Sequence, residues 1–370
     1  MADLGLWLGL RSRNWGLGVA RISVVVPVYN SEAYLPECLD SLERQTLSDI
    51  EIICVNDGSP DGSARILTDY AGHDPRICVI EKENGGLSSA RNAGMRAASA
   101  PLVSFLDSDD RYLPQTCERI VQVLEESGAD VLTFGGSAWP ESESYPWLEE
   151  VLSPRDVTYE GFTPDILLHE ASKPFAWRMA LRSSFVRDRG ISFDESLRYG
   201  EDQVFAFAVY PRSSITRLIP DKLYDYRIVH GDSLLNRMLE QPKDMLMTHI
   251  DMERRILDDW KSMGILERYA ASQLEWICEL ILFDALRLPD AECEDIYRRT
   301  RDVLLVEWDS GITQTCGLAS GYRRLIDAAY KGQKMSKVQR TSLMTSYYVA
   351  HNGWKALGRR IVHGARKTHA

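Results

Sequence analysis

The sequence predicts an α/β fold: a mostly parallel, doubly wound sheet with helices on both faces, followed by a helical appendage. Three observations carry this. Apolar runs and amphipathic stretches alternate from Arg21 to about residue 240, the rhythm of repeated βαβ units. The early apolar runs are β-branched without polar alternation, as strands covered on both faces require. Polar turn clusters rich in Asn, Asp, Gly and Ser follow those runs, and past Pro242 only helical spacings remain.

The elements follow in order. Ile22 to Val28 (ISVVVPV) reads as the first strand, with Asn30 and Ser31 as caps of a helix whose Leu35, Cys38, Leu39 and Leu42 recur at helical spacing. Pro36 falls in that helix's first turn, where a missing N–H is tolerated. Glu51 to Asn56 is the second strand, Ser63 to Tyr70 a short helix and Ile77 to Ile80 the third strand. The turn NGGLSSARNAGMRAAS runs into a helix of small residues, and Leu102 to Leu106 is the fourth strand, ending in DSDD. Leu113 to Ser127 reads as helix and Asp130 to Phe134 as strand. Between Gly135 and Gly161 periodicity lapses in a stretch bearing Trp139, Tyr145, Trp147 and Tyr159, read as an insertion or flap. Helices near 162–170 and 202–210 and a strand-like LYDYRIV complete the first part. Four segments result: a leader over 1–20 expected to be disordered, the sheet domain over 21–240, the helical appendage over 241–330 and a basic tail over 331–370.

Composition narrows the function. The chain has 370 residues, 44% of them apolar and 26% charged, with a net charge of −11. That is the make-up of a globular protein, and a negative surface repels a phosphate backbone, so nucleic acid is not an expected partner. The charge is uneven. No acid follows Asp327, so nine basic residues stand alone at the end, while the preceding part holds 34 basic against 54 acidic side chains. Seven scattered cysteines without a CxxC pair fit neither a disulfide framework nor a zinc site, and point to the cytoplasm. In the tail Tyr347, Ala350, Trp354, Leu357 and Ile361 step by three and four, tracing one apolar stripe. With basic residues off that stripe, it is expected to lie on an anionic membrane.

In a doubly wound sheet the ligand crevice lies at the carboxyl ends of the strands, and the polar clusters PVYN, NDGS and DSDD stand there. Side chains two apart in an extended segment share a side. Asp107 and Asp109 are thus read as a pair suited to Mn²⁺ or Mg²⁺, which would bridge a diphosphate. Asn84, Gly85 and Gly86 precede a helix, where free N–H groups and the dipole favour an anion. Their spacing is neither GxGxxG nor a P-loop, which weakens dehydrogenase and ATPase readings. Glu201-Asp202 opens a helix and offers a carboxylate as general base. Arg227 reads as a phosphate clamp, and His230 as a further metal ligand. Turn chemistry and helix capping explain each of these motifs separately as well.

Taken in order, ISVVVPVYNSEAYLPECLDSLERQT, EIICVNDGSPDGS, ENGGLSSARNAG and PLVSFLDSDD resemble the inverting nucleotide-sugar glycosyltransferases of family 2, of GT-A fold and bacterial surface-polysaccharide type. The resemblance is close over about 22–135 and looser through FAWRMALRSSFVRDRGISFDESLRYGEDQVF and YDYRIVHGDS to about 235. It implies that Pro27, Tyr29 and Asn30 line the nucleotide pocket and that Asp57 holds the base or ribose. Asn84, Gly85, Gly86 and Ser88, with Arg91 and Asn92, would lie beside the sugar diphosphate. Asp107, with Ser108 between the two acids, would face ribose and metal, Asp109 would be the principal metal ligand, and Asp202 the catalytic base. The donor expected is a UDP-sugar and the acceptor a hydroxyl of a glycan or lipid-linked glycan. One departure concerns the acceptor side: where the family often has Lys two residues after the central Trp, this chain has Met179 after Trp177, with Arg178 between. A nucleotidyltransferase would need a glycine-rich basic loop after the first strand, which PVYNSEAYL lacks. A non-catalytic glycan-binding protein of the same fold is the other alternative.

Overall fold

The computed structural model describes residues 19–170, 175–228, 241–332 and 334–353. The chain divides into two compact units, Met1–Ile228 and Val229–Ala370. Among the described residues no helix is long and apolar enough to cross a membrane.

The first unit is built on a nine-stranded sheet. Its strands are β1 (Ile22–Val28), β2 (Ile50–Asp57), β3 (Ile77–Lys82), β4 (Leu102–Phe105), β5 (Arg111–Tyr112), β6 (Val131–Trp139), β7 (Val157–Glu160), β8 (Met179–Arg182) and β9 (Ile215–Arg227). They lie in the order β3-β2-β1-β4-β8-β6-β9-β5, with β7 paired to β9. The β3-β2-β1-β4 half is parallel, and β8 enters antiparallel between β4 and β6. Every residue of β1 and β2 is buried, which is why those runs carry no alternation. Pro27 is tolerated in β1 because pairing with β4 ends at Val25 and Phe105, while on the other side Pro27 stands opposite Val55. All seven cysteines are free thiols.

Helices Leu35–Glu43, Ser63–His73, Leu87–Ala97 and Thr116–Ser127 occupy the crossovers. The first starts later than the Asn30-Ser31 capping expectation: Ser31 instead accepts the Tyr34 and Leu35 amides through its carbonyl, at 2.9 Å each. Helix Leu87–Ala97 approaches β1 so closely that a Cβ on Gly94 would sit 2.2 Å from Val25 Cγ1, so the small residues of GLSSARNAG are a packing requirement. The stretch after Phe134, expected to be irregular, continues as β6 to Trp139 through a register shift at Gly135 and Gly136, followed by a short helix Pro146–Val151 and β7.

The second unit is helical: Pro242–Ser262, Ala270–Ile277 running into a π-helical turn Cys278–Leu282, Asp290–Glu307, Ser320–Lys331 and Lys337–Asn352. Helix Lys337–Asn352 belongs to this unit's packing rather than forming a separate tail. Tyr347, placed on the expected membrane-facing stripe, is 5% exposed and stacks on Phe283 at 4.3 Å. The stripe therefore starts inside the unit. Trp354, Leu357 and Ile361 lie outside the described residues, as do residues 1–18 of the leader and His230.

Gly94→Ala is expected to cost about 1–3 kcal/mol by overpacking against β1. Adding Val25→Ala should restore part of that. Chemical denaturation of the two variants checks it, and an unchanged Gly94→Ala midpoint would contradict the close approach.

Candidate active site

The carboxyl ends of β1, β2, β3 and β4 meet as expected, and short hydrogen bonds lace their loops together. The Asn30 amide donates to Ser59 Oγ at 2.6 Å, with Asn30 itself at φ 53°. The Ser59 amide donates to Asn56 Oδ1 at 3.1 Å. Gly58, at φ 65°, lets the NDGS turn come so near Asn84 that a Cβ there would stand 2.9 Å from the Asn84 nitrogen. Around this rim Tyr29 is 51% exposed, and Asn30 and Asn84 to Leu87 are exposed as well.

The expected anion cradle is filled from within. Asp57, 2% exposed, accepts the Gly85 amide at 3.0 Å and the Gly86 amide at 2.7 Å, and its third partner is Lys82 Nζ. Asp57 is thus a brace of the Asn84–Gly86 turn, and the two amides read as phosphate donors are already satisfied. Ser88 is buried at the start of the helix, and no hydrogen bond reaches its Oγ among the described residues. Asn92, read as a neighbour of the diphosphate, instead clamps another loop: its Nδ2 donates to the Phe193 carbonyl and its Oδ1 accepts the Phe193 amide, both at 2.9 Å.

Arg91 sits at the centre. It is 1% exposed, and its Nη2 donates to Asp107 Oδ1 at 2.9 Å while Nη1 donates to Glu201 Oε1 at 3.3 Å and to Asp202 Oδ1. Its guanidinium also lies over the Phe193 ring, 5.2 Å from the centroid. Burial alone would disfavour the charged guanidinium, yet Asp107, Asp202 and Glu201 hold it protonated well above its usual range. Three carboxylates on one cation leave excess negative charge. Burial first, then Asp202, pushes Glu201 up to about 8 against the opposing pull of Arg91. Burial raises Asp202 as well, with Arg91 working against it. Asp202 Oδ2 accepts the Ala176 amide at 3.2 Å.

The DSDD segment is not extended. A turn closed by the Asp110 amide on the Asp107 carbonyl, at 3.0 Å, replaces the strand geometry that was to align Asp107 and Asp109. The two still interact: burial and then the Asp107 charge push Asp109 up to about 6, with Arg227 opposing. Ser108 is buried and bonded within the protein, its Oγ 2.6 Å from Ser31 Oγ and the residue 8% exposed. Among the described residues no group of three or more His, Cys, Asp or Glu side chains is arranged to hold a metal ion. The pair nevertheless fits one: among the described residues no other side chain hydrogen-bonds the Asp109 carboxylate, and a cation would relieve the repulsion between the two acids.

Arg227 is committed elsewhere than to a phosphate. Its Nη2 donates to Glu37 Oε2 at 2.7 Å and its Nε to the Asp109 carbonyl at 2.6 Å, while the guanidinium lies 3.8 Å from the Trp139 ring centroid. Arg111 lies over the same ring at 4.1 Å and donates to Glu37 Oε1 at 3.0 Å. Paired with Glu37 and held over Trp139, Arg227 orients the Asp109 turn. Asp110, the acid that the sequence reading passed over, completes this frame: 2% exposed, it accepts the Tyr224 hydroxyl and the Arg227 amide at 2.6 Å each. The only local signal for it was the second Asp of the DD pair. Glu37 left no signal beyond an acid in a helical first turn. On the acceptor side, Arg178 and Met179 are wholly buried, and Arg178 binds the Phe134 carbonyl at 3.0 Å and the Val151 carbonyl.

Comparison with known proteins meets this geometry at the same residues: 23–182 match the family model described as Glycosyl transferase family 2. That segment is similar to the family 2 glycosyl transferases. The chain is 37% identical over 209 residues to "Uncharacterized glycosyltransferase EpsJ" of Bacillus subtilis, covering 56% of this chain and 60% of that protein. It is 31% identical over 212 residues to "Poly(ribitol-phosphate) beta-glucosyltransferase" of Bacillus spizizenii, covering 56% of this chain and 32% of that one. The chain thus spans about three-fifths of the length of the first curated relatives it matches, 60% and 63%. In fold it is similar to residues 1–349 of S. aureus TarS in complex with UDP-GlcNAc, with a TM-score of 0.70, 22% identity, and coverage of 89% of this chain and 92% of that one. The matched residues end with β8, so Asp202 and β9 lie beyond them. The expected architecture, a GT-A-like α/β sheet followed by a helical region, is the one observed.

Arg91→Met is expected to destabilise the domain by about 3–5 kcal/mol, because it leaves buried carboxylates without their cation. The loss should be larger at about pH 8 than at about pH 5, since Glu201 and Asp202, already raised, shed the penalty once protonated. Urea unfolding at both pH values measures it. Equal losses would contradict the electrostatic account.

Proposed function

We propose that the chain is an inverting glycosyltransferase that moves a sugar from a nucleotide diphosphate sugar to a hydroxyl of a surface glycan. The observation that carries this is Arg91, which joins the strand-end acid Asp107 to the Glu201–Asp202 pair through one buried guanidinium. Donor-side and acceptor-side chemistry thereby come within one side chain's span. The family 2 match over 23–182 supports transfer as the reaction class. The nucleotide tested first is UDP, the ligand named for TarS, and the acceptor proposed is an uncharged surface glycan rather than the ribitol phosphate polymer for which one relative is named.

In this reading Asp202 takes the proton of the acceptor hydroxyl as its oxygen bonds to the anomeric carbon, and the bond from that carbon to the diphosphate breaks on the opposite face. Asp202 suits the role better than Glu201 because its side chain is 18% exposed against 11%, within reach of a substrate. Burial raises its proton affinity, and Arg91 with the Ala176 amide fixes its orientation. Asp107 and Asp109 would hold Mn²⁺ or Mg²⁺, which supplies positive charge to the departing diphosphate. Tyr29, Asn30 and the Asn84–Leu87 turn offer the exposed rim for the nucleotide, with Asp57 keeping that turn in place.

Asp202→Asn should lower kcat by at least ~10²-fold with donor affinity nearly unchanged, while Glu201→Gln has a much smaller effect. Nucleotide release from a panel of nucleotide sugars is the readout, and full turnover in Asp202→Asn would move the role to Glu201. For the metal, Asp109→Ala should abolish Mn²⁺-dependent UDP binding. In the unaltered protein that dependence should weaken as pH falls through about 6, where the Asp109 carboxylate gains its proton. Calorimetry showing metal-dependent affinity in Asp109→Ala would remove Asp109 from the site.

A further inference from the structure

The segment between β6 and β7 carries a feature that the carboxylate site leaves unexplained. Tyr145 and Trp147 are 45% and 52% exposed, and their rings lie side by side, 6.1 Å between centroids and 11° from parallel. Isolated surface aromatics are ordinary, but an aligned pair held outward marks a contact surface. The mount is firm. Leu148 and Leu152 are buried at 1% and 0%. Arg178, itself wholly buried, holds the Val151 carbonyl, and the Leu152 carbonyl accepts the Gly136 amide at 3.0 Å and Lys222 Nζ at 2.8 Å. The rings therefore stand out from an anchored turn of helix, not from a slack loop.

Their surroundings point to a ligand class. Both Tyr145 and the acids Asp110, Asp109 and Asp107 act electrostatically on Tyr226, whose ring centroid lies 5.6 Å from both Phe175 and Trp177. Flat rings with a polar edge match a pyranose, whose C–H face stacks on the ring while its hydroxyls meet the Tyr O–H and Trp N–H. Charge selects among glycans. Glu141, Glu143, Glu149 and Glu150 are exposed on the same segment, and no Lys or Arg occurs from 140 to 154. A phosphate-rich or carboxylated chain would meet repulsion there.

We propose that Tyr145 and Trp147 form a stacking platform for uncharged pyranose units of the acceptor glycan. The word acceptor rests on the transferase reading; the platform itself does not. The test uses the full chain with cellohexaose, maltohexaose and N-acetylchitohexaose as uncharged probes and a hyaluronan hexasaccharide as the carboxylated one, with binding followed by calorimetry. At least one uncharged probe should bind saturably and the hyaluronan probe more weakly. Tyr145→Ala with Trp147→Ala should weaken that binding by roughly tenfold per ring, and Tyr145→Phe with Trp147→Phe should retain most of it. Because both rings are exposed, the melting temperature and its shift by UDP with Mn²⁺ should not move. Trp147→Ser alone serves if the double alanine variant loses its melting transition. Absence of binding by every uncharged probe, equal binding by the alanine variant, or equal binding of hyaluronan overturns the proposal. Oligosaccharide binding through the rings without a shift by UDP or any other nucleoside diphosphate of the panel would instead overturn the transferase reading and leave the platform standing as a glycan-binding site.

Discussion

A single buried guanidinium organises the first unit's chemistry. Arg91 lies on the helix after β3, Asp107 follows β4, and Glu201 with Asp202 opens a helix that precedes β9. Three acids of like charge would not share a dry region without a cation, and a cation would not enter that region without them. The contact with Asp202 spans 111 positions of sequence. It ties the parallel half of the sheet to the part of the chain that follows β8, and the candidate base owes its orientation to it.

The surplus of negative charge around Arg91 is as informative as the pairing. Burial first, with the charge of neighbouring acids added, keeps proton affinities raised at Glu201, Asp202 and Asp109. A site wholly satisfied by its own side chains would show no such imbalance. In the proposed reading the imbalance lies where the acceptor proton and a metal ion would be handled, the pattern expected when groups are tuned for chemistry rather than for stability. Elsewhere the unit is neutralised more fully. Asp57 is met by two amides and Lys82, and Arg227 by Glu37, a carbonyl and Trp139.

Aromatic packing supplies the rigid background. Trp177 stacks on Tyr224 at 3.8 Å, and Tyr224 in turn donates its hydroxyl to Asp110. The Asp107–Asp110 turn is thereby fixed from β9, and the aromatic side of the same group extends through Phe175 and Tyr226. Arg178, which stands where a substrate-side charge was sought, serves this background instead. Its guanidinium joins β6 to the short helix by carbonyl bonds, and burial lowers its proton affinity to about 10.

The first four strands and the placing of polar clusters at their carboxyl ends were legible in the sequence, because each is a local or periodic property, whereas the short strands β5, β7 and β8 were not. A β-branched run without alternation needs two covered faces whatever surrounds it, and Gly94 in a small-residue helix announces close packing. Partnership was not legible. Whether the Gly85 and Gly86 amides are open to an anion or closed by Asp57 depends on a contact 28 and 29 positions away. Whether Arg227 clamps a phosphate or bonds Glu37 depends on one spanning 190. The DSDD acids looked like an extended pair because alternation is the simplest rule for a strand end, but the Asp110 amide closes a turn there. Residue type and spacing determined which groups reach the crevice. Only the tertiary structure decided which of them are already bonded to one another, since a buried polar group takes whatever partner the fold brings within 3 Å or so.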